Sequence, residues 1–178
     1  MFWQTSRFRI DLSRPQVMGI VNVTPDSFSD GGRHIDPRAA LRRCEQLVGE
    51  GADILDIGGE STRPGAAPVS PAEELARIEP VIRGALTLGV PVSVDTFKPE
   101  VMQRVLDWGV DIINDVRALQ EAGSALVVAR HGSCGVCLMH MHRDPQSMQL
   151  APMEGDAVPV VRAFLAQAAA RLQVLGVE

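Results

Sequence analysis

The chain has 178 residues, 46% apolar and 22% charged, with a net charge of −5. That suits one globular domain with a full core, and an acidic balance without runs of like charge argues against a nucleic-acid or anionic-membrane surface. No stretch reaches the roughly 18 apolar residues of a membrane span, Met1–Arg9 lacks a signal-peptide apolar region, and the three cysteines Cys44, Cys134 and Cys137 cannot all pair within one chain, so a soluble cytoplasmic protein is expected.

One pattern recurs along the chain: a short apolar run, a polar cluster, an amphipathic helix, then a glycine. The runs Val17–Val23, Asp53–Ile57, Pro91–Val94, Asp111–Ile113 and Val136–Met139 lack clean alternation, as strands covered on both faces should. Helices are expected between them. Asp36 and Pro37 open the first, which carries the stripe Ala40, Leu41, Cys44, Leu47 and Val48 to Gly51. Ser70-Pro71-Ala72-Glu73 has capping-box spacing and opens the second, closed by Gly89. Lys98–Trp108, Ser124–Arg130 and a long Asp156–Leu175 segment follow, each ending at a glycine.

Five βα units with short connections predict an α/β fold with a parallel sheet. A five-stranded doubly wound sheet would be complete in this length, whereas a TIM (β/α)8 barrel takes about 250 residues. Polar clusters follow all five strands: 22–32, 58–65, 95–98, 114–117 and 140–144. A doubly wound sheet uses only the strand ends near its switch point, while a barrel brings every strand end to one mouth. The barrel is preferred, with about five of its eight units present. Leu175-Gly176-Val177-Glu178 repeats the step that opened earlier strands, so three units are expected to be missing beyond it.

Each cluster offers chemistry beside a plainer role. Asn22–Gly32 is a turn-rich loop whose Phe28 suits a substrate lid as well as a surface turn. In Gly58–Gly65, Thr62 and Arg63 can serve a phosphate, or Arg63 can simply be solvated. Asp95 and Asn114, at the ends of neighbouring strands, offer an acceptor-only group beside one that donates and accepts, as a guanidine-like heterocycle edge requires. Helix capping by Asp95 or Thr96 is the competing role. His140-Met141-His142 with Cys134 and Cys137 can be written as a zinc site, but strand alternation spreads these ligands, so packing or pocket-lining roles are preferred.

Together, Met18–Gly32 and Gly58–Gly65 resemble the two signature segments of the dihydropteroate synthase family. Ser93–Thr96, Ile112–Asp115 and Cys137–Met141 match its later strands in order and spacing, so the resemblance covers essentially all of residues 1–178, read as one pterin-binding domain. It implies a transferase of folate biosynthesis, a sulfonamide target, that joins 6-hydroxymethyl-7,8-dihydropterin pyrophosphate to p-aminobenzoate and releases pyrophosphate. By the same resemblance, Asp95 and Asn114 hold the pterin, with Val116 and Met139 lining its pocket. Asn22 reaches Mg2+, and Arg63 holds the pyrophosphate. Ser27, Phe28, Thr62 and Pro64 form the p-aminobenzoate site, and Asp30 enters with the first loop.

The family's later Asp-Pro-Gly-Phe-Gly-like segment, Ser-Arg-Lys strand and Arg-x-His pair have no counterpart here, nor do the helices of its homodimer. The 178-residue chain alone is therefore expected to be inactive, with exposed edges on its first and fifth strands. Two rivals remain. A pterin-dependent methyltransferase needs no p-aminobenzoate loops, and a non-enzymatic fragment would bind pterin weakly or not at all.

Overall fold

The computed structural model describes residues 1–24, 27, 36–61, 67–142, 153 and 155–177. Among them the elements run β1 (Phe2–Gln4), β2 (Arg9–Asp11), β3 (Met18–Asn22), α1 (Pro37–Gly49), β4 (Ile54–Gly58), α2 (Pro71–Ala85), β5 (Val92–Asp95), α3 (Pro99–Asp107), β6 (Ile112–Asp115), α4 (Ser124–His131), β7 (Gly135–Leu138) and α5 (Ala157–Val174). Local chemistry sets the helix boundaries. The Asp36 carboxylate accepts from Arg38 N at 2.9 Å and the Ser70 hydroxyl from Glu73 N at 3.2 Å, each ahead of a proline whose fixed φ suits the first helical position. Gly109 and Gly132, at φ 96° and 75°, turn the chain out of α3 and α4 through the left-handed region.

Strands β3 to β7 form one parallel sheet whose spatial order is the order of the chain. A doubly wound sheet reverses order at a switch point. None occurs here, so every crossover steps the same way, as in a barrel. Strands β3 and β7 form its two edges.

Alternation divides the strand side chains between two faces. Val21, Ile57, Val94 and Ile113 face the helices and are buried with Ala40, Cys44, Ile78, Ile82, Met102 and Val105 in the main core. The other face carries three tiers. The lowest is apolar, with Met18 and Ile54; the next holds Ile20, Asp56, Ser93, Ile112 and Gly135; the uppermost holds Asn22, Gly58, Asp95, Asn114 and Cys137.

The antiparallel hairpin β1–β2 is not anticipated from the sequence, because its strands are only three residues long. It covers the lower end of that face: Trp3, Phe8 and Ile10 pack with Met18 and Ile54 of the lowest tier and Ile112 of the next. A Cβ at Gly135 would lie 2.9 Å from Trp3 Nε1, so this close approach needs a glycine. Between the strands of the hairpin, Arg7 donates from Nη2 to Asp111 Oδ2 at 2.6 Å and from Nε to Oδ1 at 3.1 Å. Val92 N also donates to Asp111 Oδ2, at 2.9 Å. Asp111, expected to open a strand, instead lies just before β6 and is fully buried.

Asp111→Ala leaves the buried Val92 amide without its acceptor and releases the partly exposed Arg7 guanidinium, and should cost about 1–3 kcal/mol in urea unfolding. A loss below about 1 kcal/mol would show that the hairpin is not pinned this way. Gly135→Ala, forced against the Trp3 ring, should cost about 1–3 kcal/mol by the same measurement.

Candidate functional site

The uppermost tier follows directly from strand register. Asn22 pairs with Gly58, Gly58 with Asp95, Asp95 with Asn114 and Asn114 with Cys137. Residues paired across parallel strands point to the same side, so the Asn22, Asp95 and Asn114 side chains share one rim. Gly58 leaves room between two of them: a Cβ there would sit 3.6 Å from Asn22 Oδ1 and 3.6 Å from Asp95 Cβ. Asn22 is exposed, while Asp95 and Asn114 are half-buried.

Beneath this rim lies Asp56, 4% exposed and in the middle of a strand. Ser93 Oγ donates to its Oδ1 at 2.6 Å and Asn114 Nδ2 to its Oδ2 at 3.1 Å. Burial raises the Asp56 carboxyl above the usual range, and these two hydrogen bonds pull it back. The bond to Asp56 also orients Asn114. One amide hydrogen is taken, leaving Oδ1 and the second hydrogen for a ligand.

Asp95 is not a helix cap. The N-cap of α3 is Lys98, which makes no side-chain capping bond, and the Lys98 amide donates to Thr96 Oγ1 at 3.3 Å. Burial pushes the Asp95 carboxyl up to about 7, with repulsion from Asp56, Asp115, Glu74 and Glu60 adding to it. A carboxylate poised near neutrality at a strand end is a mark of a binding or catalytic position.

The flanking loops are tied down by their own chemistry. At the end of β6, buried Asp115 accepts from Arg117 N at 2.7 Å and Leu119 N at 2.8 Å. These bonds hold Ala118 and Leu119 at φ 52° and 55°, which non-glycine residues seldom adopt. Val116 lies half-buried in that turn. Arg117 stacks on Phe97, 3.9 Å from the ring centroid, and pairs with Glu121. Met139 is 39% exposed just past β7. Ser27 is exposed, its amide donating to Thr24 O at 2.9 Å. Phe28, Asp30, Thr62, Arg63 and Pro64 lie outside the described residues.

The residues considered for zinc have separate surroundings. Cys134 packs in the main core, where burial raises its thiol to about 11. Cys137 lies on the rim tier, and His140 meets the Phe164 ring edge-on at 5.0 Å. Among the described residues, no three or more His, Cys, Asp or Glu side chains converge as a ligand set.

Asp56 is the residue missed in the sequence. Its signal is an acidic residue inside the buried run Ile54-Leu55-Asp56-Ile57, since a charge there requires polar partners. Lys98, Glu60 and Glu74 form a second unanticipated group: the Lys98 ammonium donates to both carboxylates, and Glu74 is 1% exposed.

Residues 18–178 match the family model described as "Pterin binding enzyme". A dihydropteroate synthase of Neisseria meningitidis serogroup C is 50% identical over 177 residues, covering 98% of this chain and 62% of the relative. The crystal structure of Burkholderia cenocepacia dihydropteroate synthase complexed with 7,8-dihydropteroate superposes with a TM-score of 0.86 at 46% identity, covering 99% of this chain and 60% of that one. The Yersinia pestis enzyme with a sulfonamide drug complex gives 0.91 at 45% identity, covering 100% and 65%. The chain thus spans about three-fifths of the length of its relatives, and its fold is the corresponding part of their TIM barrel. Because the match runs through all five βα units rather than one glycine-rich loop, this chain belongs to the pterin-binding enzyme family.

Proposed function

We propose that the chain provides the pterin- and pyrophosphate-binding side of a dihydropteroate synthase. The observation that carries this reading is the pairing of Asp95 with Asn114 on one tier, above an Asp56 that orients the amide. The 2-amino and ring N–H groups of a pterin form a donor edge, which an ionised carboxylate and an amide oxygen side by side are suited to accept. The likeness of the chain to an enzyme solved with 7,8-dihydropteroate supports the same assignment.

In this reading Val116 and Met139 flank the ring, and Arg63 takes the pyrophosphate through its guanidinium fork. Ser27, Phe28, Thr62 and Pro64 receive p-aminobenzoate, with Asp30 arriving on the first loop. Asn22 offers a hard amide oxygen on the rim, a donor that fits a Mg2+ ion keeping most of its ligands as water and phosphate. Bound there, Mg2+ would neutralise charge on the pyrophosphate. The bond between the pterin methylene carbon and the pyrophosphate oxygen breaks; the arylamine nitrogen forms the new C–N bond and releases a proton. Asp95 and Asn114 hold the ring in place, while Arg63 favours departure of the anion. A cytoplasmic location accompanies this reading; among the described residues no helix is long and apolar enough to cross a membrane.

Calorimetric titration of the chain with 6-hydroxymethylpterin should show one saturable site, and Asp95→Ala should weaken it by about 10- to 100-fold, the worth of a charge-assisted hydrogen bond. Absence of saturable heat with the unaltered chain would refute the reading.

Affinity should also depend on pH, because only ionised Asp95 accepts from the pterin edge. With its carboxyl at about 7 in the empty site, affinity should rise by about tenfold per pH unit from 5 to 7, then level off. A flat profile would contradict the role given to Asp95.

The same group carries a stability cost of defined sign. Folded Asp95 keeps its proton to about pH 7, whereas an unfolded aspartate loses it near pH 4. The folded state therefore binds more protons across that window, and stability falls as pH rises through it. Asp95→Asn should raise the melting temperature at pH 8 relative to the unaltered chain, and the gain should disappear by about pH 4.

A further inference from the structure

We infer that Glu60 is a positioning residue, held by Lys98, that joins the two ends of the 60–69 segment and fixes them to the loop carrying Asp95. Glu60 follows directly on the glycines that end β4. Its Oε2 accepts from Lys98 Nζ, and its Oε1 accepts from Val69 N at 3.3 Å. One carboxylate thus spans the segment that contains Thr62, Arg63 and Pro64, meeting its far end at Val69.

The other attachments are as specific. Lys98 sits three residues beyond Asp95 and is the sole lysine in the sequence. Its ammonium also binds Glu74 of α2, and the Lys98, Glu60 and Glu74 side chains are only 12%, 12% and 1% exposed. Arg77, one turn further along α2, donates from Nη1 to Gly59 O at 2.9 Å and pairs with Glu73. Gly59 packs so closely on α2 that a Cβ there would lie 2.7 Å from Ile78 Cγ2. The described ends of the segment are therefore tied to α2 through Gly59 and, through Glu60 and Lys98, to the β5–α3 loop.

An ammonium is suited to this junction, since its three donors can serve two carboxylates approaching from different elements. Buried at this depth, the group is costly to break and sharply defined in geometry. Its consequence is to set the spacing between the Asp95–Asn114 row and the segment bearing Arg63, the separation that a heterocycle joined to a pyrophosphate must match. This consequence, unlike the tether, rests on the pterin-pyrophosphate reading above.

The test compares the 178-residue chain with Glu60→Ala and Glu60→Gln, both of which leave the Lys98–Glu74 pair in place. Hydrogen exchange is followed by mass spectrometry in peptides spanning residues 60–70, with peptides from α1 and β6 as references. Binding of 6-hydroxymethylpterin, and separately of pyrophosphate with Mg2+, is measured by calorimetry. Glu60→Ala should speed exchange at the Val69 amide about tenfold or more and leave the references unchanged. Measured at pH 8, where Asp95 is ionised with or without Glu60, it should also weaken pyrophosphate at least about tenfold and pterin less than about twofold. Glu60→Gln keeps an acceptor for Val69 and should fall between the two. Unchanged exchange at Val69, or faster exchange throughout the chain, overturns the tether. Equal weakening of both ligands overturns its role in spacing them. Should the unaltered chain bind neither ligand, the spacing role falls with the substrate reading, and exchange alone decides the tether.

Discussion

The register of the parallel sheet is the constraint on which everything else rests. Slipping β5 against β6 by one residue would turn Asp95 toward the helices and Val94 toward the mouth, exchanging site for core. What prevents the slip is the apolar set on the helix side, Val21, Ile57, Val94 and Ile113, each at most 1% exposed. Those residues have no polar chemistry, yet they decide that Asn22, Asp95 and Asn114 emerge on one rim. Packing of the hairpin beneath Ile54 and Ile112 secures the lower end of the same face.

That face changes character along the barrel axis. The lowest tier is apolar and covered; the middle contains Asp56 with both carboxylate oxygens hydrogen-bonded; the top offers groups with bonding capacity left over. Burying Asp56 is unfavourable by itself, and its partners only partly compensate. Its return is orientation, since Asn114 presents a defined edge only while its amide is held from below. Asp95 lies close to several carboxylates and is held away from its ordinary ionisation. A ligand donating two N–H groups would relieve that repulsion by favouring the charged form.

Much of this was legible in the sequence. Asp36-Pro37, Ser70-Pro71 and the glycines after each helix carry local capping signals that do not depend on tertiary context, and among the described residues the helices follow those signals while the parallel strands fall within a residue or so of the apolar runs. The barrel order was legible through the polar clusters following every strand, and the comparisons with dihydropteroate synthases bear out the family. The hairpin was not legible, because strands of three residues show too little periodicity. Nor were the partners of Lys98, which join residues 38 and 24 positions apart. Spacing along a chain carries no record of such contacts. Asp56 was within reach, since a charge in an apolar run announces a requirement for partners.

The central claim is that Asp95 and Asn114 grip one ligand together, and a double-mutant cycle tests it most directly. Pterin affinity would be measured for Asp95→Ala, Asn114→Ala and the pair. Two groups holding the same edge of one ring should show coupling, so that the combined loss differs from the sum of the single losses by about 0.5–3 kcal/mol. Losses that simply add, or an Asn114→Ala variant that binds as well as the unaltered chain, would mean that the two side chains share a tier of the sheet but not a ligand.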